Sequence, residues 1–337
     1  MVAPGGKAAS ESTPGVAALR DEASMEPAQG EEPGKAPASA APAGAPKAET
    51  TVVPGRCGVI GLGLIGGSFA RALAQGGREV YAFDLDEDIE RFAAIDTTAG
   101  VLDDAVLPTC ELVVLACYPE ACTEWLRSHA ALVSPNAIVI DTSGVKRSVC
   151  KPCFEIAREA GITFVGCHPM AGTQFSGYAH SRADMFAGAP MVVCPAPDVR
   201  GVACLALVDR LEGLLAPCGF DKFTVTTPER HDEVIAYTSQ LAHVVSNAYV
   251  KSPTLRLRKG FAAGSYRDLT RVARLNPTMW CELFLDDADN LAREIDTLVA
   301  ELGRYRDALV ARDETQLLEL LAEGDRIKRA DEGEKEA

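Results

Sequence analysis

Five histidines occur in this 337-residue chain, and His168 stands where an imidazole can do chemistry. It directly follows Ile162 to Cys167, an apolar run that reads as a strand, and opens the segment His168-Pro169-Met170-Ala171-Gly172. A His leaving the C-terminal end of a parallel strand projects into the crevice where open α/β sheets bind ligands. Its ordinary pKa of about 6.5 suits proton transfer at neutral pH. The alternative is a structural His capping a strand. His129 and His180 lie in no motif and read as surface residues.

The stretch from Arg56 to Asp84 can supply a redox partner. A short apolar run, Cys57 to Ile60, leads into Gly61-Leu62-Gly63-Leu64-Ile65-Gly66, then a helix-period stripe (Ile65, Phe69, Leu73), then a second apolar run ending on Asp84. This is the dinucleotide fingerprint in its strand–turn–helix–strand context. Gly61 permits the tight turn, Gly63 lets backbone approach a pyrophosphate, and Gly66 lets helix and strand pack closely. The helix N-terminus, with Leu64 and Ile65 in its first turn, offers free N–H groups to the anion. Asp84 would accept hydrogen bonds from a ribose 2′-hydroxyl and repel a 2′-phosphate. No Arg follows it (Leu85-Asp86-Glu87), so the expected cofactor is NAD.

Strand-like runs alternate with helical patterns from residue 56 to about 227: Glu111 to Cys117, Asn136 to Asp141, Ile162 to Cys167, Met191 to Cys194 and Phe220 to Thr226 are the later strands. This alternation predicts an α/β fold, a Rossmann-type doubly wound parallel sheet over residues 55–227. From Pro228 strand runs give way to helix-period segments, Glu229 to Val250, Asn276 to Arg304 and Thr315 to Ile327, which predict an all-helical substrate and dimerisation domain over 228–330. The later helices carry more apolar positions than one surface helix needs, which fits packing in a homodimer. Residues 1–54 are rich in Ala, Pro, Gly and Glu with almost no large apolar residues, and are expected to be a disordered tail. Residues 331–337 are expected to be a disordered charged end. The acids in the tail argue against a transit peptide, and no apolar stretch resembles a signal sequence or a membrane span, so a cytoplasmic protein is expected. A net charge of −15 argues against a nucleic-acid or anionic-membrane surface. The eleven cysteines are scattered through predicted strands and helices, which suits a reducing compartment. The lone pair Cys150 and Cys153 has no second CxxC, so no metal site is expected.

Five stretches resemble the prephenate/arogenate dehydrogenase family of tyrosine biosynthesis: GLGLIGGS at 61–68, DTSGVK at 141–146, HPMAGTQFSG at 168–177, HDEVIAYTSQLAH at 231–243 and SYRDLTRVARLNPTMW at 265–280. The first is generic to dinucleotide enzymes, while the third and fifth are specific to that family. The resemblance covers about residues 56 to 328. It implies oxidative decarboxylation of prephenate to 4-hydroxyphenylpyruvate, or of arogenate to tyrosine, with hydride transferred to NAD. It further implies that His168 takes the ring hydroxyl proton. His243, Gln240, Arg271 and Trp280 would line the substrate pocket, with Gly264 approaching it from the same subunit or from a partner subunit. His231 and Asp232 would form a gating ion network with Arg271, although a plain helix-start pair fits the same residues. On a continuous helix His231 and His243 would lie about 18 Å apart.

One position departs from the family pattern. The usual Asp-x-x-Ser-x-Lys places a catalytic Ser where this chain has Gly144. Either Ser143 or Thr142 substitutes, or water fills the gap, and Ser143 is the expected replacement. Gln174 is neutral where an acid would favour the ammonium of arogenate, which favours prephenate. The competing readings are another two-domain dehydrogenase or imine reductase, which would lack the HPMAG and TRVA…MW pair, and a non-enzymatic NAD sensor, which would tolerate damage at His168, His243 or Arg271.

Overall fold

The computed structural model describes residues 51–173 and 175–333. The expected tail up to residue 50, Gln174, and residues 334–337 lie outside the described residues. The described residues belong to one compact unit.

The glycine turn joins β1 (Arg56–Ile60) to α1 (Leu64–Gln75), and β2 (Glu79–Phe83) follows. The chain continues through α2 (Glu87–Asp96), β3 (Gly100–Val101), β4 (Leu112–Leu115), α3 (Pro119–His129), β5 (Ile138–Asp141), α4 (Arg147–Ala160) and β6 (Thr163–Pro169). Then come β7 (Pro190–Cys194), α5 (Val202–Leu215) and β8 (Lys222–Val225). The eight strands are ordered β3-β2-β1-β4-β5-β6-β7-β8. The central strands β4 and β5 are buried at every position. Alternate side chains still go to opposite faces: Val114 and Ile140 join Phe69, Leu73 and Leu211 in one core, while Val113 and Val139 join Leu126, Val149 and Cys153 in the other. A sheet covered on both sides needs apolar residues on both, which explains the unbroken apolar runs.

Pairing is parallel except between β6 and β7, so β7 and β8 run against the rest. This refines the all-parallel expectation. A parallel return needs a crossover, usually a helix. The described part of the 170–189 connection holds only a short 3₁₀ turn, Tyr178–His180, so the chain turns back at the same sheet edge. β3 and α2 leave little signal in the sequence, because two paired residues and a charged exposed helix carry little periodicity.

The helical part begins with α6 (Pro228–Ile235), capped by Thr227, whose hydroxyl accepts from the Arg230 N–H. A π turn, Ala236–Leu241, passes into α7 (Ala242–Tyr249). Then follow α8 (Gly264–Thr270), α9 (Pro277–Asp286), α10 (Ala288–Ala311) and α11 (Glu314–Asp331). The expected single helix from Asn276 to Arg304 is thus divided at Asp287, which leaves helical geometry at φ −121° and ψ 28°. Its buried carboxylate is bound by Arg147 and Asn290 instead. No helix among the described residues is long and apolar enough to cross a membrane.

Candidate active site

The glycine turn is built as a cradle. Gly61 has φ +86°, and a Cβ there would lie 2.6 Å from the Ala116 carbonyl oxygen. A Cβ on Gly66 would lie 1.8 Å from the Gly61 carbonyl oxygen, so any side chain would push helix and turn apart. A Cβ on Gly63 would meet nothing within 4 Å, leaving its backbone open to a ligand. No side chain caps α1, so its first N–H groups around Leu64 and Ile65 remain available to an anion. Asp84 sits just past β2, its carboxylate accepting from the Leu62 N–H (2.6 Å) and the Asp86 N–H (3.0 Å). Each oxygen has a further lone pair for a ribose hydroxyl. An open glycine, an uncapped helix start and an acid at this edge fit a dinucleotide.

His168 lies near the end of β6, partly buried. Its Nδ1 is 2.9 Å from Nε2 of His231, and His231 Nδ1 is 2.6 Å from Asp232 Oδ1. Both His231 and Asp232 are buried. Asp232 also accepts from the backbone N–H groups of Lys146 (2.7 Å) and Arg147 (2.8 Å), at the start of α4. Behind this line Lys146 and Asp141 form a fully buried ion pair. Asp141 also accepts from the Ser143 N–H and the Cys167 N–H, which ties the end of β5 to β6.

Burial, the neighbouring His231 ring and the Lys146 charge push His168 well below the ordinary imidazole value. Burial likewise lowers His231, with its hydrogen bond to Asp232 working the other way. For Asp232 burial opposes ionisation, but hydrogen bonds from His231 and the α4 backbone prevail and hold it below the usual carboxylate range. Lys146 is disfavoured by burial yet kept charged by Asp141.

A second group faces inward from the helices. His243 Nδ1 is 3.1 Å from the Val272 carbonyl oxygen, and its ring lies 3.9 Å from Trp280, centre to centre. Asn247 donates to the Ala273 carbonyl, fastening α7 to the segment after α8. Arg271 is exposed at the end of α8, and its charge helps lower His243, after burial. Gly264 is the first residue of α8. Gln240, on the π turn, is buried with neither amide atom bonded to protein. A desolvated amide with no partner is costly unless a ligand satisfies it.

Two expectations change. Ser143 does not replace the missing Ser: its hydroxyl faces Cys122 Sγ at 3.9 Å, under α3, and Thr142 bonds the Leu115 carbonyl. Adjacent residues leaving a strand face opposite ways, and a Cβ on Gly144 would instead approach the Leu283 side chain of α9 at 3.5 Å. His231 and Asp232 do not reach Arg271. They turn inward to His168 and to α4, because a pair this buried needs partners within the protein. His180 is exposed as expected, whereas His129 is stacked on Trp125 and partly buried.

Lys146, Asp141 and Arg147 join the site only in the folded chain. Asp141 was signalled by an acid closing a wholly apolar strand. Arg147 carried no such signal; it joins Asp232, Asp287 and Asp289, which lie 85, 140 and 142 residues away.

The nucleotide-binding domain of the prephenate dehydrogenase family matches residues 69–215, and its dimerization domain matches residues 227–323. The chain is 30% identical over 285 residues to the cyclohexadienyl dehydrogenase of Zymomonas mobilis, covering 81% of this chain and 94% of that protein. It resembles the crystal structure of Aquifex aeolicus prephenate dehydrogenase in complex with hydroxyphenyl propionate and NAD+, with a TM-score of 0.69 and 27% identity over 82% of this chain and 97% of the other. It resembles Synechocystis arogenate dehydrogenase with a TM-score of 0.67 and 25% identity, covering 81% of this chain and 99% of that one.

Proposed function

The chain belongs to the prephenate dehydrogenase family, and from that premise we propose that it oxidises and decarboxylates prephenate to 4-hydroxyphenylpyruvate, with His168 as its catalytic base. It is an NAD-dependent oxidoreductase of tyrosine biosynthesis. NAD supplies the hydride acceptor when bound; Gly61, Gly63, Gly66 and Asp84, with the α1 N-terminus, would hold it.

The carrying observation is His168: an imidazole at the edge of β6, 2.9 Å from the buried His231 ring, where burial favours the neutral form. A neutral ring nitrogen accepts the carbinol O–H and draws off the proton while hydride departs from the same carbon. The ring C–CO2 bond then breaks, its electron pair completes the aromatic ring, and the proton returns to the phenolic oxygen. No net proton is consumed. Aromatisation supplies the driving force, so the residues need mainly to place the substrate. Arg271 would hold a carboxylate by charge-assisted hydrogen bonds. His243, Trp280 and Gln240 would line the pocket, and the unpartnered Gln240 amide suits a keto or carboxylate oxygen. The neutral Gln174 side chain supports prephenate over arogenate.

The protein is further proposed to act as a homodimer. The match to a dimerization domain supports this, as do Val299, Leu302 and Val310 on α10 and Leu318 and Leu321 on α11, all exposed on the single chain. Sedimentation at micromolar concentration should give twice the monomer mass. NADH formation, followed by absorbance with prephenate and arogenate offered separately, tests the reaction. Turnover of prephenate in preference supports the proposal. Preference for arogenate moves the substrate, and inactivity with both sinks the reading.

A further inference from the structure

We propose that His231 and Asp232 are positioning residues that fix the tautomer of His168, keeping Nδ1 protonated and Nε2 bare toward the substrate. The proposal builds on the reading of His168 as the proton acceptor, but the tautomer itself follows from the contacts within the chain.

The line of contacts begins at the start of α4. The N–H groups of Lys146 and Arg147 can only donate, and both point at Asp232, at 2.7 and 2.8 Å. The Arg147 guanidinium adds a third donor at 3.3 Å. A carboxylate is the group that satisfies three donors at once, and an ionised carboxylate accepts only. His231 Nδ1, at 2.6 Å, must therefore carry a proton and donate it to Asp232. A neutral His231 then has a bare Nε2. That atom lies 2.9 Å from His168 Nδ1, so Nδ1 must be the donor. A neutral His168 has one ring proton, and this contact uses it. Nε2 is left as the acceptor. The α4 backbone settles the first link, and with both rings neutral, the state that their burial favours, each later link follows from the one before it.

The line has a second consequence. When Nε2 takes the carbinol proton, His168 becomes a cation without giving up its Nδ1 bond. The Asp232 charge lies one ring away to balance it. His231 and Asp232 touch neither substrate nor cofactor in this scheme and act through His168 alone.

Asp232→Asn should reverse the line. At the Oδ2 place the amide nitrogen would oppose two donors, the Arg147 N–H and guanidinium, whereas at the Oδ1 place it opposes one, the Lys146 N–H. The Oδ1 place costs less, and there His231 can respond by exposing a bare Nδ1. His231 then protonates Nε2, His168 Nδ1 becomes the acceptor, and the His168 proton moves to Nε2. The base is lost with its geometry intact.

The test is ¹⁵N NMR of histidine-labelled full-length protein, with kinetics alongside. In the wild type, His168 should show a protonated Nδ1 and a bare Nε2. In Asp232→Asn the two signals should exchange, and kcat should fall by about 10³- to 10⁴-fold with KM nearly unchanged, as for other catalytic His residues locked in the wrong tautomer. Asp232→Glu, which keeps the carboxylate, should restore the wild-type tautomer and part of kcat. A wild-type His168 with its proton on Nε2 overturns the proposal, and this needs no variant to fold. So does an Asp232→Asn protein that loses stability and activity but keeps the wild-type tautomer, because the role is then structural. A wild-type protein with the expected tautomer but no turnover of either cyclohexadienol upholds the line of contacts and removes the reading of the reaction.

Discussion

His168 and His243 are both imidazoles next to the proposed substrate space, and they are held in different ways. His168 is the open end of a line of three side chains whose far members are buried and anchored to the start of α4. His243 is held by one backbone carbonyl and by the face of Trp280, beside an exposed arginine. The first arrangement determines where a proton resides. The second leaves a ring and a charge free to meet a ligand. A group that must exchange a proton with its target in one orientation needs the first kind of support. A group that only recognises a substrate can accept the second and gain its last partners on binding.

The largest effect should come from breaking the first arrangement at its tip. His168→Asn is expected to lower kcat by about 10²- to 10⁴-fold, the usual worth of a positioned base, with NAD affinity unchanged in a fluorescence titration. His243→Asn should instead act mainly on KM. If both substitutions lower kcat alike, the distinction between the two sites is wrong. The low position of His168 sharpens the point through pH. The base works when neutral, so kcat should stay level as pH falls past the ordinary imidazole value, and decline only well below it.

Arg271→Ala should come next, raising KM about 10- to 100-fold, equivalent to one hydrogen bond to a charged group, with a smaller change in kcat. Gln240→Met distinguishes ligand recognition from structural support more finely. It removes a buried amide without protein partners, so the ligand-free protein should unfold about 1–3 kcal/mol less readily while KM for prephenate rises. Lower stability in a chemical denaturation series would mean that Gln240 serves the fold.

The smallest effect concerns the support for α4 rather than either ring. Asp287 is pushed up to about 6, first by burial and then by Asp232. Its folded value is above the unfolded one, so its contribution to stability is complete below the unfolded carboxylate value and is lost as pH rises through about 6. The stability of the wild type minus that of Asp287→Asn should therefore fall by about 1–3 kcal/mol between acid and neutral pH. A difference independent of pH would show that Asp287 is ionised throughout, held by Arg147.

The NAD cradle was legible because every part of it lies within one strand–turn–helix–strand unit, where spacing alone sets geometry. His168 was legible for a related reason: a strand ending in the sheet's crevice fixes where the next side chain goes. The helical domain was legible only in outline. The π turn at Ala236–Leu241 and the break at Asp287 interrupt segments whose apolar period reads as continuous. The break at Asp287 occurs where its side chain is drawn to a distant partner, Arg147. Ser143 was misplaced for a third reason, since a one-residue shift after a strand reverses the side a residue faces.

The chain by itself thus determined the α/β order, the glycine cradle, the acid that favours NAD, and the place of the proposed base, all of them consequences of local period and turn chemistry. Only the tertiary structure decided what supports that base. His231 and His168 are 63 residues apart, and Arg147 reaches an acid 140 residues further on. Such contacts leave no periodic trace, because a hydrogen bond between distant segments depends on where the packed sheet and helices bring them. The two antiparallel strands β7 and β8 were decided there as well, by a connection that holds no crossover helix among its described residues.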